Sequence, residues 1–381
     1  MRSVKKILSI VSEETRRIVQ REIGYHRIEP TIAVLFITYR CTSRCKMCTI
    51  WRRAAESRER DELTLEDWTR VLDMLHDMGV SIIEFFGGDA LLRKDVLIPL
   101  ITYAHEKGFL TELPTNSNLI DRDTATALVE SGLDNIWISL DGIGATHDEI
   151  RGRDKAFERV DRAIEELNKA KGESDHPKIL VNCVVSKINL DSFEQIVPYS
   201  RKMGIAGIDF EYVGEIPKES ISKTAIDGIT PTPFFTSFDS SVLLNKEDAI
   251  FLKDKIKEMN HQKVKEGPRV DTQKIDFLSR EELVLGRFPN KKCYICRNIV
   301  HVDPYGNVLG CLHFNNYHLG NVRKQSLESI WRSEKHKHFI RHQNKNAIDI
   351  CKFCSNGVQR NYTPLQSLRS LYLEAKGKAR N

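Results

Sequence analysis

The 381-residue sequence has no long hydrophobic run and little net charge. Nothing in it approaches the about 18 consecutive apolar residues of a membrane-spanning helix, which excludes a membrane channel. The N-terminal residues MRSVKKILSIVSEE lack the apolar segment and cleavage site of a secretory signal, so we expect a cytoplasmic protein. With 58 basic and 53 acidic residues the net charge is only +5, and we expect no stable nucleic-acid partner.

Basic residues are concentrated at the two ends of the chain. Residues 1–29 predict a basic helix, and residues 361–381 predict a basic tail with one acidic residue, Glu374. Such segments usually form solvated surface. The alternative is a basic face for an acidic electron-carrier protein, an anionic substrate or a membrane surface, which would give the chain a peripheral membrane contact.

Between residues 32 and 213, six short β-rich runs alternate with helical patterns. The runs cover residues 32–38, 81–86, 109–113, 135–140, 178–185 and 207–213. Strands separated by helices pair in parallel, so residues 30–214 predict an α/β fold, either an open doubly wound sheet or a partial (β/α)6 barrel. In both folds the reactive groups lie in the loops that follow the strands.

The repeat stops near residue 214. Residues 215–290 contain the turn-rich aromatic stretch GITPTPFFTSFDSS and a predicted helix, and we interpret them as a bridge that covers the active site. Residues 291–360 then predict a separate, cysteine-rich α+β module. Eight of the nine cysteines stand in two groups, which indicates metal ligation rather than disulfides in a chain without an export signal. The ninth, Cys183, lies within the fifth predicted strand, where we expect a core thiol.

The first group of cysteines, Cys41, Cys45 and Cys48, follows the first predicted strand. Three thiolates on one short loop can bind three irons of a 4Fe–4S cluster and leave the fourth iron open to another ligand. A structural zinc site normally has four protein ligands. The spacing therefore favours an iron–sulfur cluster over zinc.

Further motifs stand at the ends of the next three predicted strands. They are Gly87-Gly88-Asp89, Thr115-Asn116 and Ser139-Leu140-Asp141-Gly142, the last followed by Arg151-Gly152. With the cysteine triad, this order resembles the radical S-adenosylmethionine (SAM) superfamily. The resemblance implies a partial barrel that binds SAM beside the cluster. The implied SAM-binding residues are Met47, Gly87, Gly88, Asp89, Thr115, Asn116, Ser139, Asp141 and Arg151.

The resemblance also implies a reaction. The superfamily cleaves SAM reductively to a 5′-deoxyadenosyl radical, which takes a hydrogen atom from the substrate. The electron then comes from a flavodoxin- or ferredoxin-type donor. Two positions depart from the usual pattern, since Asp89 stands where the family usually has glutamate and Met47 where it often has an aromatic residue. The sequence assigns no catalytic acid or base.

The second group consists of Cys293, Cys296, Cys311, Cys351 and Cys354. The segment IVHVDPYGNVLG before Cys311 predicts a β-hairpin. Its cysteine and glycine spacing resembles the SPASM and twitch extensions of radical SAM enzymes. The resemblance implies one auxiliary 4Fe–4S cluster, for which Cys293 and Cys296 compete as the fourth ligand. A zinc knuckle is the alternative, because paired Cys-x-x-Cys motifs also suit zinc.

In radical SAM enzymes with such extensions, the auxiliary cluster is commonly proposed to take an electron from the substrate radical or to relay electrons, so the resemblance implies net oxidation. We therefore expect the oxidation or rearrangement of a small polyol, a sugar or a lipid-linked substrate. A peptide-modifying maturase is the first alternative. A non-enzymatic iron–sulfur protein that serves electron transfer is the alternative from another class.

Overall fold

The computed structural model describes residues 29–56, 61–234, 240–261, 267–288, 295–344 and 348–354. Apart from residue 29, the predicted basic helix and basic tail lie outside the described residues, and so does Cys293. Among the described helices, none combines the length and the apolar character that a membrane crossing requires.

The described strands form one continuous sheet. Its order is β10-β9-β8-β1-β2-β3-β4-β5-β6-β7. The strands are β1 (Ile32–Thr38), β2 (Ile82–Gly87), β3 (Leu110–Thr115), β4 (Asn135–Ser139), β5 (Lys178–Val185), β6 (Gly207–Tyr212), β7 (Arg269–Asp271), β8 (Ile299–Val302), β9 (Asn307–Leu309) and β10 (His318–Asn321).

Strands β1 to β6 are the six predicted strands. Each pairs in parallel with the next, which confirms the α/β fold of a partial barrel. Strands β8 and β9 pair in antiparallel fashion and confirm the predicted hairpin. Two pairings were not predicted: β7, from the bridge, extends the sheet beside β6, and β8 pairs in parallel with β1. The C-terminal module thus continues the barrel sheet.

Helices follow most of the strands. Their ranges are Leu65–Asp77, Lys94–Glu106, Arg122–Glu130, Ala145–Arg151, Ala156–Lys171, Ile196–Lys202, Lys218–Lys223, Lys246–His261, Gln273–Asp276, Arg280–Leu285, Ile295–Asn298, Leu327–Trp331 and Glu334–Asn344, with 3-10 turns at Ile50–Glu56, Ala90–Arg93, Phe193–Gln195, Ser240–Val242 and Asp349–Phe353. Helix Leu65–Asp77 begins with a capping box formed by Thr64 and Asp67, and it buries Trp68 and Leu72.

Strand β5 shows how the two faces of the sheet differ. Its alternate residues Ile179, Val181 and Cys183 are buried in the main hydrophobic core with the helices. Cys183 is fully buried there, as expected for a core thiol. Asn182 and Val184, on the other face of the strand, line the interior cavity of the barrel. Because strand side chains alternate, a polar residue inside an apolar strand lies on the cavity side.

Candidate active site

The loop that carries the first three cysteines is held by backbone hydrogen bonds to the end of helix Ala145–Arg151. The amide of Arg44 donates to the carbonyl of Arg151, and the amide of Lys46 donates to the carbonyl of Ile150, both at 3.0 Å. Gly152 follows that helix with a positive φ of 59°. A Cβ atom at Gly152 would lie 2.5 Å from the carbonyl oxygen of Arg44, so only glycine allows this approach.

The thiols of the triad lie in a partly polar environment. The side-chain amide of Asn116 is 3.9 Å from Cys41 Sγ, and the guanidinium of Arg151 is 3.7 Å from Cys45 Sγ. Burial raises the pKa of Cys41 and of Cys48 to about 12. The free thiols are therefore protonated at neutral pH, and any metal that binds them would have to displace those protons. Donors beside the sulfur atoms would favour the thiolate form.

The Gly87-Gly88 loop packs directly on the backbone that leads into the cysteine loop. The amide of Gly88 donates to the carbonyl of Thr38, and the amide of Asp89 donates to the carbonyl of Arg40, both at 2.8 Å. A Cβ atom at Gly88 would lie 2.2 Å from the carbonyl oxygen of Arg40. Both glycines also line the cavity. The motif thus places backbone without side chains close to the cysteine loop.

The third residue of this motif, Asp89, does not line the cavity. It is buried, and the hydroxyl of Thr42 donates a hydrogen bond of 2.5 Å to its carboxylate. Burial raises the pKa of Asp89, although hydrogen bonds from Thr42 and Asn116 oppose the shift. The residue is absent from the cavity lining. Its carboxylate holds the cysteine loop, and its predicted contact with SAM stays a prediction.

Asp141 likewise acts on a neighbouring residue. It is fully buried and forms an ion pair of 2.7 Å with Arg151, while the amide of Val184 donates to its other oxygen at 2.9 Å. Burial raises the pKa of Asp141, and the charge of Arg151 opposes that effect. Arg151 lines the cavity and Asp141 does not. The aspartate therefore fixes the cation that faces the cavity.

The barrel interior contains a cavity of about 420 Å³. All three cysteines of the triad line it. Seven of the nine residues implied as SAM contacts line it as well, namely Met47, Gly87, Gly88, Thr115, Asn116, Ser139 and Arg151. The cysteine loop and the motifs that follow β2, β3 and β4 thus meet at one site, as the parallel arrangement of the strands requires.

A second set of polar residues lines the same cavity and was not predicted from the sequence. The set comprises Glu84, Glu112, Asn182, Asp209, Glu211, Lys274 and His301. All except Lys274 lie within strands β2, β3, β5, β6 and β8. For these six strand residues a sequence signal was available, because each interrupts an otherwise apolar strand.

Lys274 is central to this set. Its ammonium donates to Asp209 at 2.6 Å and also to Glu211. Both carboxylates raise the pKa of Lys274 against the effect of burial, so the lysine stays charged. Burial raises the pKa of Asp209 from 3.8 to about 6, with Glu211 adding to the shift and Lys274 opposing it.

The C-terminal module contributes one wall of the cavity through Ile295, Ile299, His301 and Leu312. Of its cysteines, Cys296 is buried and its thiol donates to the side-chain oxygen of Gln343 at 3.5 Å. Cys354 is also buried, and Cys311 and Cys351 are half-buried. Within the described ranges, no group of three or more His, Cys, Asp or Glu is arranged to hold a single metal ion.

Comparisons with known proteins identify both parts of the chain. The radical SAM superfamily matches residues 35–198. The SPASM family, an iron–sulfur cluster-binding domain, matches residues 293–355.

Curated relatives and solved structures agree with these matches. Fe-coproporphyrin III synthase of Methanosarcina barkeri is 27% identical over 338 residues, which cover 84% of this chain and 77% of the relative. PqqA peptide cyclase of Bradyrhizobium diazoefficiens is 31% identical over 171 residues, 45% of this chain and 43% of that protein. The crystal structure of Streptococcus suis SuiB bound to precursor peptide SuiA shares the fold, with a TM-score of 0.61 at 16% identity, covering 92% of this chain and 78% of SuiB.

These matches support 4Fe–4S clusters and SAM as the cofactors. The named relatives are enzymes, which rejects the alternative of a non-enzymatic electron-transfer protein. The chain is an enzyme that combines a radical SAM domain at residues 35–198 with a SPASM iron–sulfur domain at residues 293–355.

Proposed function

We propose that this enzyme binds a 4Fe–4S cluster at Cys41, Cys45 and Cys48, and that it oxidises or rearranges a small polar substrate in the barrel cavity. When bound, the cluster and SAM supply a 5′-deoxyadenosyl radical that removes a hydrogen atom from the substrate. One observation carries the proposal: the three cysteines, the motifs after β2 to β4 and the polar strand residues line one continuous cavity.

The residues present fit SAM. This ligand offers a carboxylate, an ammonium and a ribose diol, and it therefore needs a cation, several acceptors and hydroxyl groups. The cavity presents the guanidinium of Arg151, the hydroxyls of Thr115 and Ser139, and the amide of Asn116. Gly88 leaves its backbone unshielded because it has no side chain. We assign SAM binding to this part of the cavity.

Apolar side chains protect the cluster side of the cavity from water. Phe36, Ile50 and Phe234 are almost fully buried and form one cluster with Tyr39, against which Cys48 packs. The rings of Phe36 and Phe234 lie 5.4 Å apart. A dry wall strengthens electrostatic interactions and prevents a reactive intermediate from being quenched. We infer that this wall protects the radical chemistry.

We assign the auxiliary 4Fe–4S cluster to Cys311, Cys351 and Cys354, with Cys293 or Cys296 as the fourth ligand. The SPASM match spans all five cysteines. Thiolates are the ligands that iron–sulfur clusters require. The role of this cluster is electron transfer with the substrate, and a flavodoxin- or ferredoxin-type protein supplies electrons to the enzyme.

The size and polarity of the cavity support a small polar substrate. A volume of about 420 Å³ is typical of a site for one drug-sized ligand. SAM is itself a ligand of this size, so a substrate that shares the cavity with it must be a small molecule or the end of a larger one. Carboxylates and amides on β2, β3, β5 and β6 favour hydroxyl or amino groups. A polyol, a sugar or the polar end of a lipid-linked molecule meets these requirements.

A peptide side chain is the second candidate. It is favoured by the similarity to PqqA peptide cyclase and by the fold shared with SuiB, whose crystal structure contains a precursor peptide. A single side chain would fit the space beside SAM as well as a small sugar. The two candidates differ in the rest of the substrate: for a peptide, the remainder of the chain would lie outside the cavity.

The proposal is tested by iron analysis and SAM cleavage. After anaerobic reconstitution, we expect about eight irons per chain in the wild type and about four in the Cys41/Cys45/Cys48→Ala variant. Dithionite should drive 5′-deoxyadenosine formation only in the wild type. Cys183→Ala, which removes a core thiol, is the matched control and should retain both clusters. Absence of SAM cleavage by a preparation with both clusters full would contradict the proposal. About four irons plus one zinc would show a structural zinc module.

A further inference from the structure

The inner part of the barrel cavity carries an excess of negative charge. Four carboxylates line it, from Glu84, Glu112, Asp209 and Glu211. Among the described lining residues, lysine and arginine contribute only Lys274 and Arg151. The charge of Arg151 is already balanced by buried Asp141, which lies outside the cavity lining. The sulfonium of SAM offsets one further charge, and the cavity remains acidic.

Two side-chain oxygens in this region are buried without a hydrogen-bond donor. They are Asn182 Oδ1 and Asp209 Oδ1, and neither has a partner among the residues that the structure describes. The other oxygen of Asp209 accepts from Lys274 at 2.6 Å. A buried acceptor without a donor is costly, and no described protein group supplies the donor here. The donor for these two oxygens must therefore come from a molecule in the cavity, either water or a ligand.

The two residues that carry these oxygens are neighbours in the sheet. Asn182 on β5 is the register partner of Asp209 on β6, and neighbouring strands lie about 4.8 Å apart. On its other side, Asn182 pairs with Ser139 of β4, one of the residues that we assign to SAM. A group bound between Asn182 and Asp209 would therefore lie beside the SAM-binding residues.

We propose that Asn182 and Asp209 bind a protonated primary amine of the substrate. This inference rests on the proposed function and deepens it by naming a substrate group. An ammonium carries three N–H donors and no acceptor, so it can satisfy both oxygens and offset the acidic charge at once. A hydroxyl would supply a donor but no charge. A carboxylate or phosphate would supply neither and would be repelled by the four carboxylates.

The amine has two chemical sources, an amino sugar or a lysine side chain. We would measure the binding of four probes to the reconstituted, SAM-bound holoenzyme by anaerobic calorimetry. The probes are glucosamine, glucose, glucuronate and Nα-acetyl-lysine amide. At least one amine probe should bind about tenfold more tightly than glucose, and glucuronate should bind more weakly than glucose. Tighter binding of glucosamine indicates an amino sugar, and tighter binding of the lysine amide indicates a peptide.

Two variants assign the binding to the proposed residues. Asp209→Asn and Asn182→Leu keep the size of the side chain and should each weaken amine binding by about tenfold. Asp271→Asn is the matched control, because Asp271 pairs with Asp209 in the sheet but does not line the cavity. It should bind the amine as the wild type does. Iron content and SAM affinity of the same samples separate loss of the cofactors from loss of the amine site.

The proposal is overturned if glucose binds as tightly as both amine probes, or if Asp271→Asn and Asp209→Asn lose the same affinity. It is also overturned if neither amine binds to a wild-type preparation that cleaves SAM. In that last case the proposed radical SAM function stands, because nucleoside formation is measured without any of the probes.

Discussion

The carboxylate of Asp141 and the guanidinium of Arg151 form an ion pair of 2.7 Å in which the aspartate is fully buried. The same guanidinium lies 3.7 Å from the sulfur of Cys45. Arg151 thus connects a buried anion to Cys45, one of the proposed iron ligands. A cation at this place offsets the negative charge that a thiolate-bound cluster adds to the site.

Replacing Asp141 by asparagine should therefore destabilise the protein markedly. Removal of one member of a buried ion pair leaves the other charge buried without compensation, at a cost of about 3–5 kcal/mol. The amide of Val184 can still donate to the asparagine oxygen, so the loss reports mainly on the missing charge. The measurement is the midpoint of anaerobic thermal unfolding, together with iron content.

An exposed ion pair between the same two elements provides the control. Lys46 of the cysteine loop and Glu149 of helix Ala145–Arg151 are 2.6 Å apart, with 40% and 57% of their side chains exposed. Exposed pairs contribute about 0–1 kcal/mol, so Glu149→Gln should change the midpoint little. Equal losses in Glu149→Gln and Asp141→Asn would contradict the importance of the buried charge.

Gly88→Ala should weaken SAM binding. A Cβ atom there would lie 2.2 Å from the carbonyl oxygen of Arg40, so the loop must move away from the cysteine loop. We expect the dissociation constant for SAM to rise by about tenfold or more in anaerobic equilibrium dialysis. Gly204→Ala is the control, because a Cβ at Gly204 would meet nothing within 4 Å and its φ is +69°. That variant should lose about 1 kcal/mol of stability and keep its SAM affinity.

The cysteine loop and the motifs after β2, β3 and β4 could be located from the sequence because each is a short local pattern. Their meeting at one cavity follows from parallel strands, which place all these loops at one edge of the sheet. The direction of the Asp89 side chain could not be read in this way. It depends on the hydroxyl of Thr42, which lies 47 positions earlier and becomes a neighbour only in the folded chain.

Other features needed the three-dimensional structure. Strand β8 is four residues long, and nothing local indicates that it pairs with β1 at the opposite end of the chain. Each strand contributes only one or two of the polar residues of the cavity, so Glu84, Asn182 and Asp209 do not form a sequence motif. The alternation of apolar and polar residues could have identified each of them singly. Only the folded sheet, whose strands contribute to one cavity lining, shows that they share one space.

Arg53 should be important for the attachment of the bridge and the C-terminal module to the barrel. Its guanidinium donates to Thr232 at 2.5 Å and to Asn315 at 2.8 Å, and it lies 4.9 Å from the ring centre of Phe234. Arg53→Ala should lower the free energy of unfolding by about 2 kcal/mol, since hydrogen bonds from charged groups contribute that much. Differential scanning calorimetry under anaerobic conditions measures the change.

The neighbouring arginine is the matched control for Arg53. Arg52 is exposed and stacks on Trp51 at 5.1 Å, without a hydrogen bond to the bridge in the described structure. Arg52→Ala should change stability by less than about 0.5 kcal/mol, as is usual at the surface. If both variants lose the same stability, Arg53 has no special role between the three segments.

The pKa of Asp209 predicts how the effect of Asp209→Asn depends on pH. Burial raises this pKa from 3.8 to about 6, and the carboxylates of Glu211 and Asp271 add to the shift while Lys274 opposes it. A raised pKa means that the folded protein holds the proton more tightly than the unfolded chain. The stabilisation from protonated Asp209 is therefore complete below about pH 4 and is lost as the pH rises through about 6.

Asparagine carries no charge at any pH, so the variant avoids this loss. The melting temperature of Asp209→Asn, measured relative to the wild type, should rise between about pH 4 and pH 7 and then level off. Asp67→Asn is a control in which the relative melting temperature should change with pH in the opposite direction. Burial disfavours the charged form of Asp67, but hydrogen bonds from Arg323, Thr64 and Arg70 lower its pKa. A relative melting temperature for Asp209→Asn that falls over the same interval would show that Lys274, rather than burial, controls this carboxylate.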